Sequence, residues 1–252
     1  MSLPIIQCPT YILEIPSTKQ KVKFRGFLVK EEKMLLLTIT DNNADTVSTN
    51  LKQIIKNCTF GAIDVDKLSS FDCEFIFLQI RSKSKGNLIQ LQYTCKNTIL
   101  EVAASDISMK DKPCDTKNEF QIDLDNAKVF FNPENHKKII IKDEVGIMMK
   151  YPTLDTIIEI QQSFNTGDVN SIYANIPNFV ECVFKGDQIW DKFTKEEFSE
   201  WLENLTNEQF SKIEQFFDTL PQVQLTTKVT CKKCAHEEEI VLSGLQSFFE
   251  SA

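Results

Sequence analysis

The residues best suited to chemistry are Cys231-Lys232-Lys233-Cys234-Ala235-His236, which separate two apolar, β-branched runs. Val223, Leu225 and Val229 precede them and Ile240, Val241 and Leu242 follow, so the CxxC falls where a β-hairpin turns. Two thiolates on one tight turn close one side of a tetrahedral metal site, and two further ligands must come from elsewhere. The sequence holds no second CxxC. Cys95 and Cys114, each at a strand edge across one loop, are the candidate partner pair, and His236 can stand in for a thiolate. Four thiolates in one sphere would hold one structural Zn2+ with no open position for water, and so no catalysis. The bland alternative is an isolated dithiol turn. A redox role is disfavoured, because the motif lies between strands and not at a helix N-terminus after a strand.

Other chemistry finds little support. There are two histidines, His136 and His236, and neither belongs to a nucleophile signature such as GxSxG. The seven glycines are not clustered after a strand, which argues against phosphate-cradling and dinucleotide folds. No catalytic residue is assigned, and a non-enzyme is expected. The chain has 252 residues, 42% hydrophobic and 25% charged, with a formal charge of -8. It can bury a real core, and it lacks the positive field that draws in nucleic acid or anionic lipid. The N-terminal residues have neither a basic start nor a sustained apolar core, and no later window approaches the roughly 18 apolar residues that span a bilayer. A cytoplasmic setting follows, with the eight cysteines reduced and Cys73, between Phe71 and Phe75, in the core.

Two features suit partner binding. Arg81, Lys83 and Lys85 form a basic stretch that could grip an acidic partner or a phosphate, although cations at a helix end are expected from the dipole alone. Phe248 and Phe249 in an acidic protein either dock on their own domain or form an apolar hook.

The elements that must position these residues read as an α+β protein. Residues 11–27 form an N-terminal β-hairpin around the turn-like Pro16-Ser17-Thr18-Lys19. Helices follow over 29–40, 45–57 and 70–82, the last capped by Ser69 or Ser70 and presenting Phe71, Phe75 and Leu78. An antiparallel β insert over about 86–142 has strands at 88–95, 119–124, 127–131 and 138–142, with a polar span at 96–118. A boundary near Tyr151-Pro152 divides an N-terminal α+β domain, 1–150, from a helical domain, 151–252, closed by the CxxC hairpin. In the latter, helices are expected over 153–164, 169–184, 194–205 and 207–219, with capping boxes at Thr194/Glu197 and Thr206/Gln209 and a break at Leu220-Pro221.

Three segments carry a family resemblance. They are Leu13-Glu14-Ile15-Pro16-Ser17-Thr18 through Phe24-Arg25-Gly26-Phe27-Leu28-Val29-Lys30-Glu31-Glu32-Lys33, Phe71-Asp72 through Leu78-Gln79-Ile80-Arg81-Ser82-Lys83-Ser84, and the CxxC with Gly244-Leu245 and Phe248-Phe249. In these the chain resembles the T4-type bacteriophage baseplate hub assembly proteins. The resemblance implies a late, non-enzymatic protein of virion assembly. It would be an assembly chaperone or a component of the baseplate hub, binding hub subunits and other hub assembly proteins in the host-cell cytoplasm. In place of a richer knuckle, the β insert carries the single Cys95 and the single Cys114. A rival reading from another class is a zinc-ribbon-like regulatory or nucleic-acid-binding module, against which the acidic charge counts.

Overall fold

The computed structural model describes residues 6–41, 44–102, 109–158, 173 and 175–243. It is an α+β protein with thirteen strands in antiparallel sheets among those residues. The N-terminal hairpin pairs β1 (Thr10–Glu14) with β2 (Lys21–Arg25), and Pro16, which cannot donate to a ladder, sits in the turn. Helices α1 (Val29–Asp41), α2 (Ala44–Cys58) and α3 (Ser70–Lys85) pack on it. The first two lie within a residue or so of their expected limits because capping and periodicity are local signals. Ser69 is the N-cap of α3, accepting a hydrogen bond from the Asp72 N–H. Asp72 in turn accepts from Ser17 N at 3.0 Å and from the Ser17 and Ser69 hydroxyls, which ties the hairpin turn to the start of α3.

Helix α3 is buried nearly all round, as befits a central element. One side carries Cys73, Ile76, Phe77 and Ile80 into a core shared with Ile15, Phe24, Ile54 and Ile55. The opposite side carries Phe75 and Leu78 into a second core with Ile89, Ile122, Leu124, Val223 and Leu225. Arg25 and Glu31 form a buried ion pair beside the first core at 3.1 Å, and Glu31 also accepts from Leu28 N at 2.9 Å.

The second core is roofed by two ribbons that carry the cysteines. Strands β3 (Leu88–Thr94) and β6 (Lys117–Asp123) pair in register from Leu88↔Asp123 to Thr94↔Lys117. Between them the expected polar span folds into its own hairpin, β4 (Thr98–Val102) with β5 (Met109–Pro113). Strand β7 (Lys128–Phe130) joins β12 (Gln222–Thr230) and β13 (Glu237–Ser243) in the order β13-β12-β7.

A third core, with Ile147, Met149, Phe179, Phe198, Ile213 and Phe216, lies under a four-stranded sheet of order β11-β10-β9-β8. Its strands are β8 (Lys138–Lys142), β9 (Val145–Met149), β10 (Val180–Lys185) and β11 (Gln188–Trp190). Gly146 is required there, since a Cβ would lie 2.3 Å from the Ile139 carbonyl oxygen and 2.5 Å from the Phe184 ring. Helices α4 (Lys195–Glu203) and α5 (Asn207–Asp218) cover this core, each opened by the expected capping box. The helix expected over 169–184 does not run its length: residues 173 and 175 are helical, but 176–179 form a short 3-10 turn and 180–184 belong to β10. Pro177 interrupts the helical pattern, and Gly186-Asp187, with Gly186 at φ +56°, makes a two-residue hairpin turn into β11. Residues 154–158 are helical. Strands β9 and β10 lie on either side of Tyr151-Pro152 and pair with each other, so the sheet continues across that position.

Candidate metal centre

Cys231 follows β12 directly, and Cys234 lies three residues before β13, so the CxxC forms the turn of the β12–β13 hairpin. Cys231 N donates to His236 O at 2.8 Å and Ala235 N to Cys231 O at 2.9 Å, while Ala235 takes a left-handed φ of +56°. Such a tight reversal turns successive N–H groups inward, toward the sulfurs. The consequence is electrostatic: hydrogen bonding from the Cys234 backbone, helped by Lys233, holds the Cys231 thiol below its ordinary value. The His236 backbone does the same for Cys234.

Cys95 and Cys114 come to the same place from the other ribbon. The sulfurs of Cys95, Cys114, Cys231 and Cys234 all lie within 4.8 Å of one another. Cys95 Sγ is 3.7 Å from Cys234 Sγ, and Cys114 Sγ is 3.8 Å from Cys231 Sγ. A tetrahedron of thiolates around Zn2+ at about 2.3 Å has edges of about 3.8 Å. Those two separations therefore match the edges of such a tetrahedron, and they are far too long for a disulfide. All four residues are free thiols; Cys95, Cys114 and Cys231 are buried and Cys234 is half-buried. Burial pushes the Cys95 thiol up, whereas the CxxC pair is held down. The cluster can bind a metal ion, and its donor set is the soft, all-sulfur set that suits Zn2+.

Residues outside the cysteines orient the cluster. Asn118 is buried and bridges the ribbons: its Oδ1 accepts from Lys232 N at 2.9 Å, and its Nδ2 donates to Thr116 O at 2.9 Å. Asn97 Nδ2 reaches Cys234 Sγ at 3.6 Å, and Thr116 Oγ1 lies 3.2 Å from Cys114 Sγ. The Tyr93 hydroxyl hydrogen-bonds Glu238 across the same seam. Nothing in the spacing of Asn97, Thr116 or Asn118 marks them; only adjacence to the cysteines does. His236 contributes its main-chain carbonyl, and its exposed ring is not part of the four-sulfur cluster.

The remaining candidates lie elsewhere. Arg81 is buried in α3, with Nη1 lacking a hydrogen-bond partner. Lys83 pairs with Asp125 at 2.7 Å and Lys85 with Glu32 at 3.2 Å, so both cations meet carboxylates of this chain. Phe248 and Phe249 lie outside the described residues. His136 and His236 are both exposed. Among the described residues no helix is long and apolar enough to cross a membrane.

Comparison with known proteins gives one match. No curated protein and no solved structure matches the chain. The family model described as T4 bacteriophage base plate protein matches residues 8–250, which takes in every element described above. The chain therefore belongs to the T4 bacteriophage base plate protein family.

Proposed function

We propose that the chain acts in building the central hub of a contractile phage-tail baseplate, as an assembly factor or as a hub component, by binding other proteins. The family match across residues 8–250 carries this reading. A groove between β10, β11 and α4, lined by the exposed Trp190 and the half-buried Phe193 and Trp201, supports it, because accessible aromatic side chains are favoured anchors at protein interfaces. The partners are hub subunits and other hub assembly proteins, met in the host-cell cytoplasm. Lys83 and Lys85, with Phe248 and Phe249, belong to the binding surfaces in this reading, and Arg81, buried in α3, lies beneath them. Binding one subunit conformation that is competent to join would shift its population without any chemical step. The four thiols hold one structural Zn2+ that braces the two ribbons; four sulfur ligands leave no position for substrate.

The test is affinity capture of the tagged protein from infected cells, with hub subunits expected in the eluate. No hub subunit captured, together with complete baseplates from a phage lacking the gene, would end this reading. The four-sulfur cluster between two hairpin turns favours a second one, a zinc-ribbon-like regulatory or nucleic-acid-binding module. Salt-sensitive retention on DNA or RNA would promote it.

A further inference from the structure

The two cysteine pairs differ greatly in sequence and hardly at all in backbone. Two residues separate Cys231 from Cys234, and eighteen separate Cys95 from Cys114. Yet Cys95 directly follows β3, as Cys231 directly follows β12. Cys114 lies three residues before β6, as Cys234 lies three before β13. Cys95 N donates to Thr116 O at 3.0 Å, the counterpart of Cys231 N to His236 O. Asp115 N donates to Cys95 O at 3.1 Å, the counterpart of Ala235 N to Cys231 O. Asp115 and Ala235, each just after the second cysteine, both take a left-handed φ, +47° and +56°. A non-glycine residue in that region is uncommon, so its recurrence at equivalent positions marks the same turn built twice.

What lies between Cys95 and Cys114 is the β4–β5 hairpin. Its last ladder pair, Thr98↔Pro113, is reached through a single bridging bond, Cys114 N to Asn97 O at 2.7 Å. Its strands pair only with each other among the described residues. An isolated two-stranded ribbon is marginal in water by itself, so its direction depends on how its base is held.

We propose that Cys95 and Cys114 are the two halves of one metal-binding knuckle, split by insertion of the β4–β5 hairpin. Residues 96–113 are then a separable arm on a complete two-knuckle Zn2+ site, and the metal at the arm's base fixes where it points. This rests on the zinc reading above and adds to it that the arm is dispensable for the site while the site is indispensable for the arm.

Co2+ serves as the probe, because a tetrahedral thiolate site gives it intense visible and charge-transfer absorption. The full chain is compared with two shortened chains in which residues 96–113 are replaced by Lys-Lys, copying Lys232-Lys233, or by a four-residue turn. All are expected to take up about one Co2+ per chain with the same spectrum. If the full chain takes up none, the zinc reading fails. If the full chain takes up one and both shortened chains none, the split knuckle alone is overturned. Hydrogen exchange on the full chain tests the second half. Removing the metal with a chelator is expected to strip protection from amides of β4 and β5 while those of α2 and α3 stay protected. Unchanged β4 and β5 protection would show that the metal does not hold the arm.

Discussion

The region around α2 and α3 and the region around the four cysteines are held together in opposite ways. In the first, Ile15, Phe24, Ile54, Ile55, Ile76 and Phe77 are each buried with many apolar neighbours, and each contributes about 1.5–3 kcal/mol. In the second, the ends of two thin ribbons, beyond the apolar core they share, meet through four sulfurs, Asn118 and a few hydrogen bonds. The first spreads its stability over 17 buried side chains and their partly buried neighbours and yields by increments. On the zinc reading, the second concentrates it at one point that depends on a ligand, and it would yield in one step. If a metal fills the cluster, as proposed above, it would supply there an order that so small a core cannot.

The comparison can be broken most directly at the cysteines. Chelation, or Cys95→Ser combined with Cys231→Ser, should release the metal and cost on the order of 5 kcal/mol, as for a cross-link closing a loop of over a hundred residues. The Cys95–Cys234 link spans 139 residues. Calorimetry alongside metal analysis checks this, and a metal-free chain with an unchanged melting temperature would remove the distinction between the regions. Next in size, Phe77→Ala should cost about 3–5 kcal/mol by opening a cavity, with metal content unchanged.

Glu31→Gln comes third, at about 3 kcal/mol, because it strands the buried Arg25 guanidinium. It also has a pH signature. Burial pushes the Glu31 carboxyl up, but the Arg25 hydrogen bond and the Leu28 N–H outweigh it and leave the group below its ordinary value. A lowered carboxyl contributes stability above its unfolded value near pH 4.3, and that contribution is lost as pH falls through the folded value. Urea titrations from pH 7 to pH 3 should therefore show a shallower acid loss for Glu31→Gln than for the parent. An equal slope would show that the pair is not what acid breaks. The smallest effect is expected at Thr194→Ala, which removes a capping box at the surface for about 1 kcal/mol. Helix α4 would fray by circular dichroism with neither region disturbed.

What could be read from the sequence divides along the same line. The hairpin at Pro16, the helices α1 to α3, the caps at Ser69, Thr194 and Thr206, and the CxxC turn follow from local rules, and the structure has them. The thiol pair Cys231 and Cys234 is visible for the same reason. Cys95 and Cys114 could be named only as candidates, because eighteen residues hide a turn that becomes a turn only when β4 pairs with β5. Strand β10 was hidden differently: residues 176–184 place apolar side chains at helical spacing, and the decision came from pairing with β9 and from the Gly186 turn. Asn118 bridges ribbons more than a hundred residues apart, which no short pattern encodes.

The distance along the chain between the two cysteine pairs sets an order of events during synthesis. Because translation runs from the N-terminus, Cys95 and Cys114 emerge while residues 231–234 do not yet exist. Until position 234 has been made, the nascent protein carries two exposed thiols beneath an unanchored ribbon, with nothing opposite them. The site thus reports on completeness: a polypeptide broken off before residue 234 cannot close the seam.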